Sequence, residues 1–265
     1  MRIFTGIVMQ LISTVGVLFF FGFLIAILRR IFCAITGKAG PKILLATGII
    51  GTPIHELSHA LMCIIFLHRI NEIRLFAPDS STGRLGYVDH SYNKRNLYHQ
   101  IGNFFIGVAP ILFGTSLIVL LMYLLVPSAF FAVSRSALGL PVGASLPIGE
   151  FLGFFFSSLW SVLCTLGDIK GWIFLILAIL IASHMELSGA DIKGGLFGLF
   201  LILVIYIPIS VIIGLVSPTG FTALTRALSS FGIVFAALLS ISVIFLFVMV
   251  AFALIVKIIL SLIHR

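Results

Sequence analysis

Residues 51–66, GTPIHELSHALMCIIF, place two histidines and a glutamate inside an otherwise apolar run. Ionisable side chains are costly in hydrocarbon, by about 2 kcal/mol or more each unless they are paired. A membrane-like segment that keeps His55, Glu56 and His59 on one short stretch therefore indicates that these side chains bind or react with something.

The whole chain has the composition of a membrane protein. Of its 265 residues 61% are hydrophobic and only 9% are charged, whereas about a quarter of a soluble domain is charged. Apolar runs of about 20 residues, the length that a helix needs to cross a bilayer, recur along it. We therefore expect an all-α, polytopic protein that forms a single integral-membrane domain over 1–265 in a lipid bilayer, and we expect that bilayer to be a bacterial cytoplasmic membrane.

Hydropathy predicts six or seven spans, because the fourth and fifth are short. The N-terminal run is too long for a cleavable signal peptide, so we expect a retained first helix that ends at Arg29 and Arg30. The predicted spans are 4–28, 43–67, 101–126, 151–167, 172–187, 196–216 and 231–262.

The basic excess, 16 Lys and Arg against 8 Asp and Glu, lies singly or in pairs at the ends of apolar runs. That placement is typical of topology signals, and we expect no nucleic-acid partner. Basic residues flank the second predicted span, 43–67, on both sides, although a segment that crosses the membrane fully has only one end in the cytoplasm. Either this segment is partly re-entrant, or one of the two basic clusters folds back along the membrane face. The cysteines Cys33, Cys63 and Cys164 show no metal or disulfide spacing, and we expect them to be small buried hydrophobes.

A polar segment, 68–100, interrupts the apolar pattern. Alternating residues near Ile73, the turn cluster PDSSTG and the run RLGYVDHSY predict a β-hairpin. A bare hairpin edge cannot face lipid, so the hairpin must lie at the interface or inside a cavity. An ordinary connecting loop is the alternative.

The ionisable residues of the second span, about 43–67, have the spacing of a metal site. Residues four apart share one helical face, so His55 and His59 can bind one ion while Glu56 projects beside it. Zinc held in this way activates a bound water molecule, with the glutamate as general base. A buried hydrogen-bonded cluster or a proton relay is the alternative. Thr52 and Pro53 can begin a fresh helix just before the motif.

A catalytic zinc needs a third protein ligand. The stretch ASHMELSGADIKGG within the segment 182–200 offers Asp191 first and His184 second. Asp191 also suits the N-cap of the following helix. Glu186 and Asp168 are weaker candidates, because Asp168 lies in a cap-like context and Glu186 would point elsewhere on a helix.

An H-E-x-x-H in a membrane helix, followed more than a hundred residues later by an Asp in another apolar segment, resembles the site-2 protease family of intramembrane zinc metalloproteases. The resemblance covers about 43–200. It implies that His55, His59 and Asp191 bind Zn²⁺, that Glu56 is the general base, and that strands within 72–90 present an extended substrate.

Two motifs depart from that family. The family's Asp lies in an L-D-G context, whereas this chain has GADIKGG, and QIGNFFIGVAP matches the family's Gly-Pro motif only loosely. Asn103 in that stretch is a candidate substrate contact, and an interhelical hydrogen bond is its alternative role.

The leading hypothesis is thus a membrane-embedded zinc metalloendopeptidase that acts on membrane proteins or peptides. A transporter or channel that relays metal ions or protons is the second hypothesis. An interface metalloprotease with a glutamate as third ligand ranks below both, because the polar sequence is too small for its usual soluble domain.

Overall fold

The computed structural model describes residues 2–79, 83–140 and 148–263. Within them the chain is almost entirely helical, with one small sheet. The helices are α1 (Arg2–Leu11), α2 (Val17–Thr36), α3 (Gly40–Ile65), α4 (Leu97–Leu125), α5 (Pro127–Leu138), α6 (Ile148–Leu163), α7 (Ile169–Ala182), α8 (Gly189–Val216) and α9 (Pro218–Ile263), and the strands are β1 (Arg69–Arg74) and β2 (Tyr87–Ser91).

Five helical stretches of the described chain are long and apolar enough to cross a membrane. The expected all-α class is confirmed, and these stretches are compatible with an integral membrane protein. Helix α7 has only 14 residues, so the span expected at 172–187 is helical only as far as Ala182. The number of crossings stays a prediction. The five stretches are Arg2–Ile65, Leu97–Leu125, Ile148–Gly167, Gly189–Val216 and Pro218–Ile263.

The first stretch reverses direction at Gly37. In a straight helix residues 22 and 48 would be about 39 Å apart. Instead a Cβ on Gly22 would lie 3.4 Å from Leu187, and a Cβ on Gly48 would lie 3.3 Å from His184. Gly37 allows the reversal because its φ of +56° is a conformation that other residues rarely adopt. Helices α2 and α3 therefore lie side by side.

Helix α2 ends later than the sequence predicted. It continues past Arg29 and Arg30 to Thr36, so the arginine pair does not mark a helix end. Helix α3 also runs unbroken through Pro53, and no fresh helix begins at Thr52. Proline within a helix removes one hydrogen bond without ending the helix where packing holds the flanking turns.

Helix α4 passes through the interior of the bundle. Over half of its most apolar window, 56%, is buried, against 11% for α8. Ile111 and Ile118 of α4 are fully buried, and nearby Phe174 of α7 meets Phe245 of α9 edge to face at 5.3 Å. The core therefore forms around α4, with α8 on its outer side.

Glycines allow α4 and α8 to approach closely. A Cβ on Gly198 would lie 2.6 Å from the carbonyl oxygen of Gln100, and a Cβ on Gly107 would lie 2.6 Å from that of Asp191. Small residues at such contacts are typical of membrane helices, whose backbones pack closely. This packing fixes the N-terminal end of α8 against α4.

The hairpin expected within 68–100 is confirmed. Strands β1 and β2 pair antiparallel, with Arg69 opposite Ser91 and Arg74 opposite Tyr87, and the register shifts between Ile70 and Glu72. The hairpin follows directly from the C-terminal end of α3, so it lies close to the helix that carries the histidine motif.

Candidate metal centre

The two histidines of the motif point at each other. Their Nε2 atoms are 3.1 Å apart, on adjacent turns of α3. Two nitrogens bound tetrahedrally to one zinc at about 2.0–2.1 Å would be about 3.3–3.4 Å apart. The observed separation of His55 and His59 is thus close to what one shared ion requires.

Backbone carbonyls fix the tautomer of both rings. Nδ1 of His55 lies 2.7 Å from the carbonyl oxygen of His184, and Nδ1 of His59 lies 2.8 Å from that of Ile106. A carbonyl only accepts, so each Nδ1–H donates, and in the neutral rings each Nε2 carries a lone pair. Metal-binding histidines in proteins are held in this way by the second ring nitrogen.

Asp191 joins the two histidines across the bundle. Its Oδ1 lies 3.5 Å from Nε2 of His59, and one ligand atom from each of the three side chains lies within 4.8 Å of the others. The other oxygen, Oδ2, accepts from the backbone N–H of Ser188 at 2.8 Å, as part of a capping box at the start of α8. One oxygen of the Asp191 carboxylate can therefore cap α8 while the other faces the two histidines.

His184 supports the site without entering this group. Its Nε2 lies 2.9 Å from the Thr47 hydroxyl, while its backbone carbonyl holds His55. A Cβ on Gly51 would lie 2.4 Å from the carbonyl oxygen of Leu180 and 2.5 Å from the His184 ring. The absence of a side chain at Gly51 lets the end of α7 lie against α3.

Glu56 is buried and faces a cavity of about 490 Å³. That volume holds many water molecules, each of which needs roughly 30 Å³. His55, His59 and Asp191 line the same cavity, so water, carboxylate and candidate ligands share one space.

The hairpin forms another wall of the cavity. Tyr87, Val88 and His90 of β2 line it. A Cβ on Gly86 would lie 2.9 Å from Cγ of Glu56 and 2.7 Å from the carbonyl oxygen of Arg74. The start of β2 therefore packs directly on Glu56, which a larger residue at position 86 would prevent.

Three further residues line the cavity: Arg29, Thr52 and Glu186. Sequence patterns did not predict Arg29 or Thr52 at the site. Arg29 forms an ion pair with Glu186, and both line the cavity, although the sequence suggested a topology signal and a weak ligand candidate. The Thr52 hydroxyl is buried and has no hydrogen-bond partner among the described residues. An unpartnered polar group in the wall of a cavity is available to a water molecule or a ligand.

Two other candidates lie elsewhere. Asn103 is buried on α4, next to Gly195 of α8, and is not among the described residues that line the cavity. Asp168 caps α7 by accepting from the backbone N–H of Lys170 at 3.3 Å, as its sequence context predicted. Asp168 is thus the N-cap residue of α7, whereas Asp191 lies three residues after Ser188, the N-cap residue of α8.

A second cluster lies at the end of α3. One ligand atom from each of Cys63, His68 and His90 lies within 4.8 Å of the others, and the two Nδ1 atoms are 3.1 Å apart. Burial lowers the pKa of His68 and that of His90, which favours neutral rings.

The sequence predicted that all three cysteines are buried. Cys63 is fully buried, but Cys33 is half-buried and Cys164 is exposed, so the prediction is correct for Cys63 alone of the three.

No family model, curated protein or solved structure matches the chain.

Proposed function

We propose that the protein is an intramembrane zinc metalloprotease that cleaves peptide bonds in or beside membrane segments. His55, His59 and Asp191 would hold the metal ion. Glu56 would be the general base, and the cavity beside it would admit water and the unwound substrate backbone.

One observation carries the proposal: two Nε2 lone pairs face each other at 3.1 Å beside a carboxylate. Both Nδ1–H groups are already donated to carbonyls, so the neutral rings have no hydrogen to place between these nitrogens. Two lone pairs at this distance repel unless a cation lies between them. A divalent ion meets that need, and the nearby anion of Asp191 offsets part of its charge.

Bound zinc would polarise the peptide carbonyl and activate a water molecule. The chain itself supplies the proton transfer. Glu56 precedes the second histidine by three residues and lines the same cavity. In this proposal it would take a proton from the attacking water and return it to the leaving amine. The Glu56 side chain lies against the hairpin, because Gly86 has no side chain and its backbone comes close to Glu56.

Strand β2 is the proposed substrate platform. A two-stranded sheet leaves the second edge of β2 unpaired within the described hairpin. Val88 and Tyr87 place that strand in the cavity wall, beside Glu56. An extended substrate that pairs with β2 by strand addition would present its peptide carbonyls to the site. A substrate segment that has lost its helical hydrogen bonds can pair with β2, because its backbone N–H and C=O groups are free.

A comparison of wild type with Glu56→Gln tests the proposal. Each variant is reconstituted in vesicles with the total membrane proteins of the expression host, and newly formed N-termini are identified by mass spectrometry. We expect cleavage sites in or beside apolar segments with the wild type. We expect none with Glu56→Gln, which should still bind zinc because it retains both imidazoles and Asp191.

A different result would favour transport. If both variants give the same N-termini, proteolysis is excluded as the role of this site. If the wild type instead moves zinc or protons across vesicles and Glu56→Gln stops that flux, the residues form a relay.

A further inference from the structure

We propose a second metal site, formed by Cys63, His68 and His90, that binds a zinc-class divalent cation independently of the first. The site joins the end of α3 to strand β2. It does not depend on the proposed protease activity, because no residue is shared with the His55–His59–Asp191 group.

The ring of His68 is oriented as a ligand would be. Its Nε2–H donates to the backbone carbonyl of His99 at 2.9 Å, so Nδ1 carries the lone pair that faces His90. Tyr92 stacks on the same ring, with centroids 4.8 Å apart and planes 15° from parallel. A histidine held by a carbonyl on its outer nitrogen has the usual arrangement around a metal.

The distances fit one ion. The Nδ1 atoms of His68 and His90 are 3.1 Å apart, near the roughly 3.3–3.4 Å expected for two nitrogens on one tetrahedral zinc. The Sγ atom of Cys63 lies within 4.8 Å of a ring nitrogen of each histidine, and Cys63 is fully buried. Sulfur and imidazole together favour zinc over calcium or magnesium, which prefer oxygen ligands.

The ligands come from three different parts of the fold. Cys63 lies one turn beyond His59 on α3, His68 lies just after that helix, and His90 lies on β2 and lines the cavity. An ion at this point would cross-link the hairpin to α3. It would thereby hold β2 beside Glu56 without contacting the reacting atoms.

Cobalt substitution distinguishes the two sites, because only the second offers a thiolate. Metal-free, reduced protein in detergent is titrated with Co²⁺, and the near-ultraviolet thiolate-to-cobalt charge-transfer band is recorded. We expect the band in the wild type, in Cys33→Ser and in Cys164→Ser, which serve as matched controls. We expect Cys63→Ser to lose it and to retain one equivalent of cobalt.

Two histidine variants complete the test. His90→Ala removes the ligand that β2 supplies. The cobalt affinity of the second site, measured from the charge-transfer band, should fall at least about a hundredfold. That is more than the loss of a residue that only supports a ligand would cause. His55→Ala should keep the band and lose the other equivalent, which separates this site from the proposed catalytic one. Absence of the band in the wild type, or its survival in Cys63→Ser, would overturn the second site.

Discussion

Nε2 of His59 on α3 lies 3.5 Å from Oδ1 of Asp191 at the start of α8. The contact depends on helix packing, because α8 reaches this position only by lying closely against α4. Gly107 of α4 leaves room for the Asp191 carbonyl, and the Ile106 carbonyl holds the His59 ring. The packing of α3 and α8 against α4 therefore fixes the positions of both His59 and Asp191.

Substitutions of Asp191 should separate its two roles. Asp191→Asn keeps an oxygen for the capping box but removes the anion, so we expect zinc affinity to fall at least about tenfold with little change in thermal stability. Asp191→Ala should also lose the cap, at a cost of about 0.3–1.5 kcal/mol. Zinc titration and thermal unfolding measure the two effects. Unchanged zinc binding in Asp191→Ala, with loss in His184→Ala, would make His184 the third ligand.

Gly107→Ala should disturb the site from a distance. The added Cβ would lie 2.6 Å from the Asp191 carbonyl oxygen, so the helices must shift. We expect a loss of about 1–3 kcal/mol in unfolding free energy and weaker zinc binding. Gly194→Ala on α8 is the matched control, because a Cβ there meets nothing within 4 Å. Equal behaviour of the two variants would contradict the packing account.

Gly86→Ala should impair cleavage without removing zinc. Its Cβ would meet both Cγ of Glu56 and the Arg74 carbonyl, so β2 or the carboxylate must move. A displacement of this size would lower the cleavage rate by about ten- to a hundredfold. Initial rates on one identified substrate provide the measurement, with Gly153→Ala on α6 as control. Full activity in Gly86→Ala would show that β2 need not lie on Glu56.

The Arg29–Glu186 pair gives a stability prediction. Replacing Arg29 with Met leaves the half-buried Glu186 carboxylate without its partner, which should cost about 1.5 kcal/mol, the low end for a hydrogen bond to a charged group. The double variant Arg29→Met with Glu186→Gln should recover part of that loss, since the uncompensated charge is gone. Thermal unfolding in detergent compares wild type, both single variants and the double variant. A double variant no more stable than Arg29→Met would contradict the pairing.

The local chemistry of α3 could be predicted from sequence, whereas its partners could not. The spacing of His55 and His59 places them on one face wherever the helix lies, and alternation with a turn cluster predicted the hairpin. Asp191 had two competing roles in sequence. Only the fold shows that one oxygen caps α8 while the other faces His59.

Other features depend on contacts that sequence patterns do not encode. Arg29 resembled a topology signal because its partner, Glu186, lies far along the chain. Pro53 suggested a helix start, but packing keeps α3 continuous through it. Cys63 had no recognisable metal spacing because one candidate partner, His90, comes from the far strand of the hairpin.

Direct measurement of bound zinc is the sharpest test of the central claim that His55, His59 and Asp191 hold an ion. In a Cys63→Ser background, we expect one zinc per chain in the parent and in Asp168→Asn, whose carboxylate caps α7. We expect His59→Ala to lose that zinc while remaining folded. A parent that binds no zinc, or a His59→Ala variant that keeps its full equivalent, would contradict the account.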